Sequence, residues 1–122
     1  MTPNEYQEQA HSFSFYEKPI CYEGFGSKTV THVLDYVYPA MALAEEAGEV
    51  AGKFAKAVRD ECGYISDDRR EAIKKELGDV CWFVAELSTL LGFKLDEVME
   101  HNIEKLTDRK KRGVLSGSGD NR

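Results

Sequence analysis

A chain of 122 residues has room for one domain with a modest core, and its net charge of −6 leaves no cationic surface for broad binding to a nucleic-acid backbone. Three cysteines at wide, unpatterned spacings, Cys21, Cys62 and Cys81, argue against a disulfide framework and against a cysteine zinc site, so a reducing cytoplasm is the expected setting. No basic-then-apolar leader and no apolar run of roughly 20 residues is present, which points to a soluble protein that is neither exported nor membrane-bound.

In chain order, Thr2-Pro3-Asn4-Glu5 combines a cap, a first-turn proline and a glutamate three residues after the cap, predicting a short helix to about Phe13. Ser14 to Pro39 is rich in Tyr, Phe, Gly and Pro without clean periodicity, and reads as a long loop with one helical turn near Val30 to Tyr36. Loops of that length usually carry function; covering the bundle end or a subunit contact is the alternative use of its aromatics. A second helix is expected after Pro39 and before Gly63, with Leu43, Ala47, Val50, Phe54 and Val58 as its core stripe. Asp67 or Asp68 should cap a third helix, whose stripe is Ile73, Leu77, Val80, Val84, Leu87 and Leu91, with Gly92 as the stop. A fourth helix should cover about Leu95 to Arg112. The expected organisation is an all-α, four-helix-bundle-like domain over 1–113 and a flexible, linker-like tail over 114–122.

One five-residue pattern occurs twice, Glu46-Ala47-Gly48-Glu49-Val50 and Glu76-Leu77-Gly78-Asp79-Val80. On a helix each copy projects two carboxylates from one face within a turn. With Leu43 and Ile73 set to zero, Glu46 and Glu76 both fall at about 300°, and Glu49 and Asp79 at about 240°. Both pairs therefore lie at the margin of the buried face, where they can reach inward. Acids gathered in this way repel unless a cation neutralises them, and Mg²⁺ is the hard cation that suits oxygen ligands, with Mn²⁺ a substitute. Gly48 and Gly78 weaken their helices, which suggests close backbone approach or room for a ligand. Solubilising acids on an exposed helix are the bland alternative; two copies in register weigh against it.

The stretch Tyr38-Pro39-Ala40 through Leu43-Ala44-Glu45-Glu46-Ala47-Gly48-Glu49-Val50, followed by Glu76-Leu77-Gly78-Asp79-Val80, resembles the MazG-like all-α nucleoside triphosphate pyrophosphohydrolases, whose signature is E-E-x-x-E, a spacer, then E-x-x-D. The resemblance implies metal-ligand roles for Glu46, Glu49, Glu76 and Asp79. Glu45, at about 200° and one turn from Glu49, becomes a further ligand or the base that positions water, so Glu45 and Glu49 are the catalytic candidates. Family members carry a similar Asn, Lys and Arg pattern on their last helix, which lands on Asn102, Lys105 and Arg109 as substrate-binding residues. Lys53 is a fourth candidate there, with an i,i+4 pair to Glu49 as the simpler reading. The family also implies a homodimer or homotetramer.

Weaker signals remain. Lys110, Lys111 and Arg112 read as a helix end complementing the dipole. Glu8-Gln9-Ala10-His11 matches half of a di-iron motif but has no second copy, and His101 reads as a surface histidine. Trp82, opposite the stripe of its helix, marks a subunit contact or a base-stacking surface, and Cys81 a small core residue. The expected activity is Mg²⁺-dependent hydrolysis of nucleoside triphosphates, dNTPs foremost, to a monophosphate and pyrophosphate by metal-activated water. No residue selects a base or a sugar. The rival expectation is a non-catalytic helical interaction module with an acidic face.

Overall fold

The structure, a computed structural model, describes residues 1–14 and 36–122. Among them lie four α-helices and no strand: α1 (Pro3–His11), α2 (Val37–Glu61), α3 (Asp67–Leu90) and α4 (Leu95–Lys111). The all-α expectation holds, and no helix of the described residues is long and apolar enough to cross a membrane. The expected aromatic loop, with Tyr16, Tyr22, Phe25 and most of the turn near Val30 to Tyr36, falls outside the described residues apart from its ends.

Local chemistry sets the helix ends. Thr2 Oγ1 accepts from the Glu5 amide at 3.2 Å while the Glu5 carboxylate accepts from the Thr2 amide at 2.6 Å, so two of the first unpaired donors of α1 are satisfied reciprocally. α2 begins two residues before Pro39 and has no side-chain cap. The proline is tolerated because an amide in the first turn would have no helical acceptor anyway. Cys62, left-handed at φ 52°, ends this helix. The cap of α3 is Ser66, not Asp67 or Asp68: its hydroxyl accepts from the Arg69 amide at 3.2 Å. The two aspartates instead occupy the first turn, where the helix dipole favours negative charge.

α4 is capped by another helix. Its own N-cap, Lys94, makes no side-chain cap bond. The amides of Leu95 and Asp96 donate instead to Gln7 Oε1 at 2.9 Å and Asn4 Oδ1 at 3.1 Å, both on α1. Gln7 Nε2 in turn donates to Thr89 Oγ1 at 3.1 Å and the Phe93 carbonyl at 2.8 Å, so one buried carboxamide joins α1, the end of α3 and the start of α4.

α3 is the hub, packing on α2, α1 and α4. Ala10, Ala85 and Leu95 form a small core with Tyr6, Trp82 and Val84 against it. Trp82, expected at a subunit contact or stacking surface, is half-buried and donates its indole N–H to the Ala10 carbonyl at 3.0 Å; α1 covers it. Cys81 is exposed rather than a core residue.

The stripe expected on α2 is only partly packed. Leu43 and Val50 are half-buried, while Ala47, Phe54 and Val58 are exposed, and the fully buried positions are Pro39, Ala42 and Ala57. Among the described helices only α3 packs extensively on α2, and one neighbour covers one flank. Leu77 on α3 and Leu91 at its C-cap are likewise half exposed, whereas Phe83, Ala85, Glu86 and Ser88 are buried, because three neighbours enclose the C-terminal half of the helix from several sides. Replacing Gln7 with Ala should lower unfolding free energy by about 1–3 kcal/mol, since it strands donors and acceptors on three segments, whereas exposed Gln9→Ala should stay within about 0.5 kcal/mol. Urea midpoints of the two variants measure the difference.

Candidate metal centre

The two copies of the acidic motif sit on α2 and α3, the pair of helices with the most extensive contact. Glu46, Glu76 and Asp79 each offer a carboxylate oxygen, and these oxygens all lie within 4.8 Å of one another. Glu46 and Glu76 are half-buried and Asp79 is exposed, as their wheel positions dictate: the first acid of each motif lies nearer the packed stripe. Glu49 and Glu45 are exposed and lie outside this trio, yet both act on Glu46. Burial first, and then the charges of Asp79, Glu45, Glu76 and Glu49, hold the Glu46 carboxyl above its ordinary value. The trio thus has the donor chemistry of a hard-cation site: oxygen ligands only, from three carboxylates held close together.

Lys53 reaches this centre across the helix pair. Its Nζ lies 2.8 Å from Glu76 Oε1, so the ion pair is with α3 and not the i,i+4 pair with Glu49 along α2. That hydrogen bond, together with the charges of Glu76 and Glu49 and against the opposing effect of burial, raises the ammonium above its ordinary range. Two turns away Arg69 ties the same helices together, pairing with Glu61 and donating from Nη1 to the Lys53 carbonyl at 3.0 Å.

The polar residues of α4 lie elsewhere. Asn102 is exposed. Lys105 and the buried Arg109 turn to the C-terminal residues, with Nζ and Nη2 at 3.8 and 3.2 Å from the same oxygen, Asp120 Oδ1. The chain returns to α4 through Gly117, whose φ of 127° suits glycine alone and where a Cβ would stand 3.2 Å from the Arg122 side chain. Arg112 completes the return by donating to the Arg122 carbonyl at 2.8 Å. Among the described residues neither Lys105 nor Arg109 pairs with a member of the acid trio, and α4 packs mainly on α1 and α3.

Two features escaped the sequence reading. Glu86, fully buried on α3, has His11 Nδ1 at 3.3 Å. Its signal was its position seven residues after Asp79, two turns along the same face. The other is an apolar cleft of about 350 Å³ between α1, α3 and α4, lined by Met1, Tyr6, Val80, Cys81, Val84 and Met99 among others. Tyr6 connects the cleft with the trio: burial, then the nearby Cys81 and Asp79, push its phenol up. Among the described residues nothing lies within 4 Å of a Cβ built on Gly48 or Gly78, so none of these residues makes the close backbone approach expected there.

Set against known proteins, the chain belongs to the MazG nucleotide pyrophosphohydrolase domain family, whose pattern matches residues 39–114. The matched stretch contains both acidic motifs and all of α3 and α4. Gene 37 protein of Mycobacterium phage L5 is 46% identical over 101 residues, covering 83% of this chain and 87% of that protein. No solved structure matches. The family is one of nucleotide pyrophosphohydrolases that usually depend on a metal, and the oxygen trio on α2 and α3 fits that dependence.

The crowding has a pH signature. An acid whose carboxyl is raised in the folded state holds its proton more tightly there than in the unfolded chain, so stability falls as pH climbs from the unfolded value through the folded one. The metal-free protein should therefore lose stability as pH rises above the ordinary Glu value of 4.5, and Glu46→Gln should remove that part of the loss. Melting temperatures across pH 4 to 7 check it, an identical slope in the variant being the contrary result. Gly78→Ala, with open space around it among the described residues, should gain about 0.5–1 kcal/mol of stability by helix propensity alone; a melting curve that does not move up would mean that the space is filled in solution.

Proposed function

We propose that this chain is a Mg²⁺-dependent nucleoside triphosphate pyrophosphohydrolase, with Mn²⁺ as a substitute, that cleaves between the α- and β-phosphates to give a nucleoside monophosphate and pyrophosphate. The observation that carries the reading is the convergence of Glu46, Glu76 and Asp79 within 4.8 Å in a chain of this family. Glu46, Glu76 and Asp79 would hold the cation, with Glu49 one turn along α2 to complete its shell. When bound, such a cation supplies charge neutralisation on the phosphates and a lowered pKa for attacking water.

The chain's own residues do the rest. Glu45, exposed beside Glu46, takes the proton of the water as its oxygen bonds to the α-phosphorus and the bond to the bridging oxygen breaks, sending electrons to the pyrophosphate. Lys53 meets the phosphates from the α2–α3 side. Asn102, Lys105 and Arg109 would bind the distal phosphates; Asp120, which now shares an oxygen between Lys105 and Arg109, occupies the place an anionic phosphate would take. The apolar cleft beside Tyr6 offers apolar surface for the nucleoside, dNTPs being the first class to test.

Assembly completes the reading. Among the described residues Met41, Phe54 and Val58 on α2 and Met99 and Ile103 on α4 are between 48% and 70% exposed, apolar side chains that a homodimer or homotetramer would cover. The acidic composition and the free thiols of Cys62 and Cys81 suit a soluble cytoplasmic enzyme.

Pyrophosphate release across a panel of ribo- and deoxyribonucleoside triphosphates tests the activity directly. Glu46→Gln and Asp79→Asn should each lower kcat by about a hundredfold or more while the metal-free protein keeps or gains stability, because each removes a ligand and relieves repulsion. Near-normal turnover in either variant at saturating Mg²⁺ would remove the trio from the reaction. Lys105→Ala and Arg109→Ala should raise KM by about tenfold and leave Mn²⁺ affinity without nucleotide unchanged. A protein that binds a divalent ion weakly and releases no pyrophosphate from any nucleotide would be a helical interaction module instead.

A further inference from the structure

The trio has a cation of its own. Glu46 and Lys53 are seven residues apart on α2, so their side chains leave the helix within about 20° of one another and about 10 Å apart along the axis. Glu76, on the facing helix, lies between them. One of its oxygens belongs to the 4.8 Å trio with Glu46 and Asp79, and its Oε1 lies 2.8 Å from Lys53 Nζ. Among the described residues no other ion pair involves a member of the trio. The pair is also well sheltered, with the Lys53 and Glu76 side chains only 22% and 18% exposed.

The backbone beneath Lys53 is held in place. Arg69 donates to the Lys53 carbonyl at 3.0 Å and pairs with Glu61, which fixes α2 against the start of α3 at the level of this lysine. Arg69 and Glu61 form a clasp between the helices outside the acidic motifs. Lys53 makes its bond inside them. A lysine needed only to tie α2 to α3 would duplicate that clasp; one that spends its ammonium on Glu76 also offsets the charge of the trio at one of its half-buried acids.

We propose that Lys53 is the resident counter-ion of the metal-free trio, and that a divalent cation must take Glu76 away from it in order to bind. The inference rests on the metal-dependent reading above. Cation and ammonium exchange on one carboxylate: while the trio is empty Lys53 neutralises part of its charge, and when it is filled the two positive charges repel and the ammonium is released. The released ammonium then lies beside the metal, where a triphosphate arrives. Lys53 is therefore a positioning and charge-balancing residue before it is a substrate contact, and metal should precede nucleotide in binding.

The test is Mn²⁺ affinity without nucleotide, measured by titration calorimetry and by loss of the free-ion electron paramagnetic resonance signal. Lys53→Met keeps the apolar stem and removes the charge. It should bind Mn²⁺ about tenfold more tightly than the native protein and melt lower when metal-free, because the competitor is gone and the acids are left unbalanced. Lys53→Arg keeps the charge and should stay close to native affinity; Lys53→Gln gives the same readout as Met should the thioether variant fold poorly. Affinity unchanged or weaker in both neutral variants, with native binding lost in Glu46→Gln and Asp79→Asn, overturns the role of Lys53 and leaves the metal site standing. Native protein that binds no Mn²⁺, or Glu46→Gln and Asp79→Asn variants that bind it as well as the native chain, overturns the metal reading and this inference with it.

Discussion

Repulsion between carboxylates is the constraint around which the α2–α3 pair is arranged. The packing of these helices brings Glu46, Glu76 and Asp79 together, with Glu45 and Glu49 close enough to add to the field at Glu46. Such a grouping opposes folding at neutral pH and has to be held by contacts made elsewhere. Those contacts are visible: the Arg69–Glu61 clasp at one end of the pair, the Lys53–Glu76 bond in the middle, and the buried Ala57, Ile73 and Phe83 along the helices. Stability given up where the acids crowd is recovered by these contacts along the pair.

The remaining helices serve that pair by steadying α3. α1 is only nine residues long, too short to be stable alone, and it is fixed by its polar side chains as much as by Ala10 and Tyr6. Gln7 and Asn4 supply the acceptors that the α4 N-terminus lacks, so α1 and α4 cannot dock independently. Trp82 adds its hydrogen bond to the Ala10 carbonyl. The result is that α3 is gripped on three sides along the half that follows Asp79.

What the sequence could reveal tracked periodicity and local chemistry. The doubled motif brings Glu46, Glu76 and Asp79 onto facing surfaces because helical phase depends only on spacing, whereas Glu49, expected beside them, lies outside the trio; Glu46 and Glu76 are deeper than Asp79. The Thr2–Glu5 capping box was legible because every group in it lies within four residues. Ser66 was passed over for its acidic neighbours because Ser and Asp both cap well and spacing does not rank them. The α2 stripe differs from its expected burial for another reason: an apolar stripe says that a face wants cover, not that the described helices supply it. Gln7 and the Asp120 contacts of Lys105 and Arg109 were beyond reach, since each joins segments whose juxtaposition no local pattern encodes. The doubled Glu-x-Gly-acid-Val pattern thus carried the centre, while the partners of the cations had to come from the fold.

The acid trio is divided between unequally supported helices, and this has a consequence for motion. Glu76 and Asp79 ride on α3, enclosed by three neighbours, whereas Glu46 rides on α2, which among the described helices leans on one. Openings that peel α2 away from α3 cost less than global unfolding, so the amides around Glu46 should exchange with solvent deuterium sooner than those from Val80 to Ser88. The site is in that sense hinged along its own middle: anything that bridges the two helices there, an ammonium or a divalent ion, closes the joint, and slowed exchange in α2 would report occupancy of the centre without any turnover being measured.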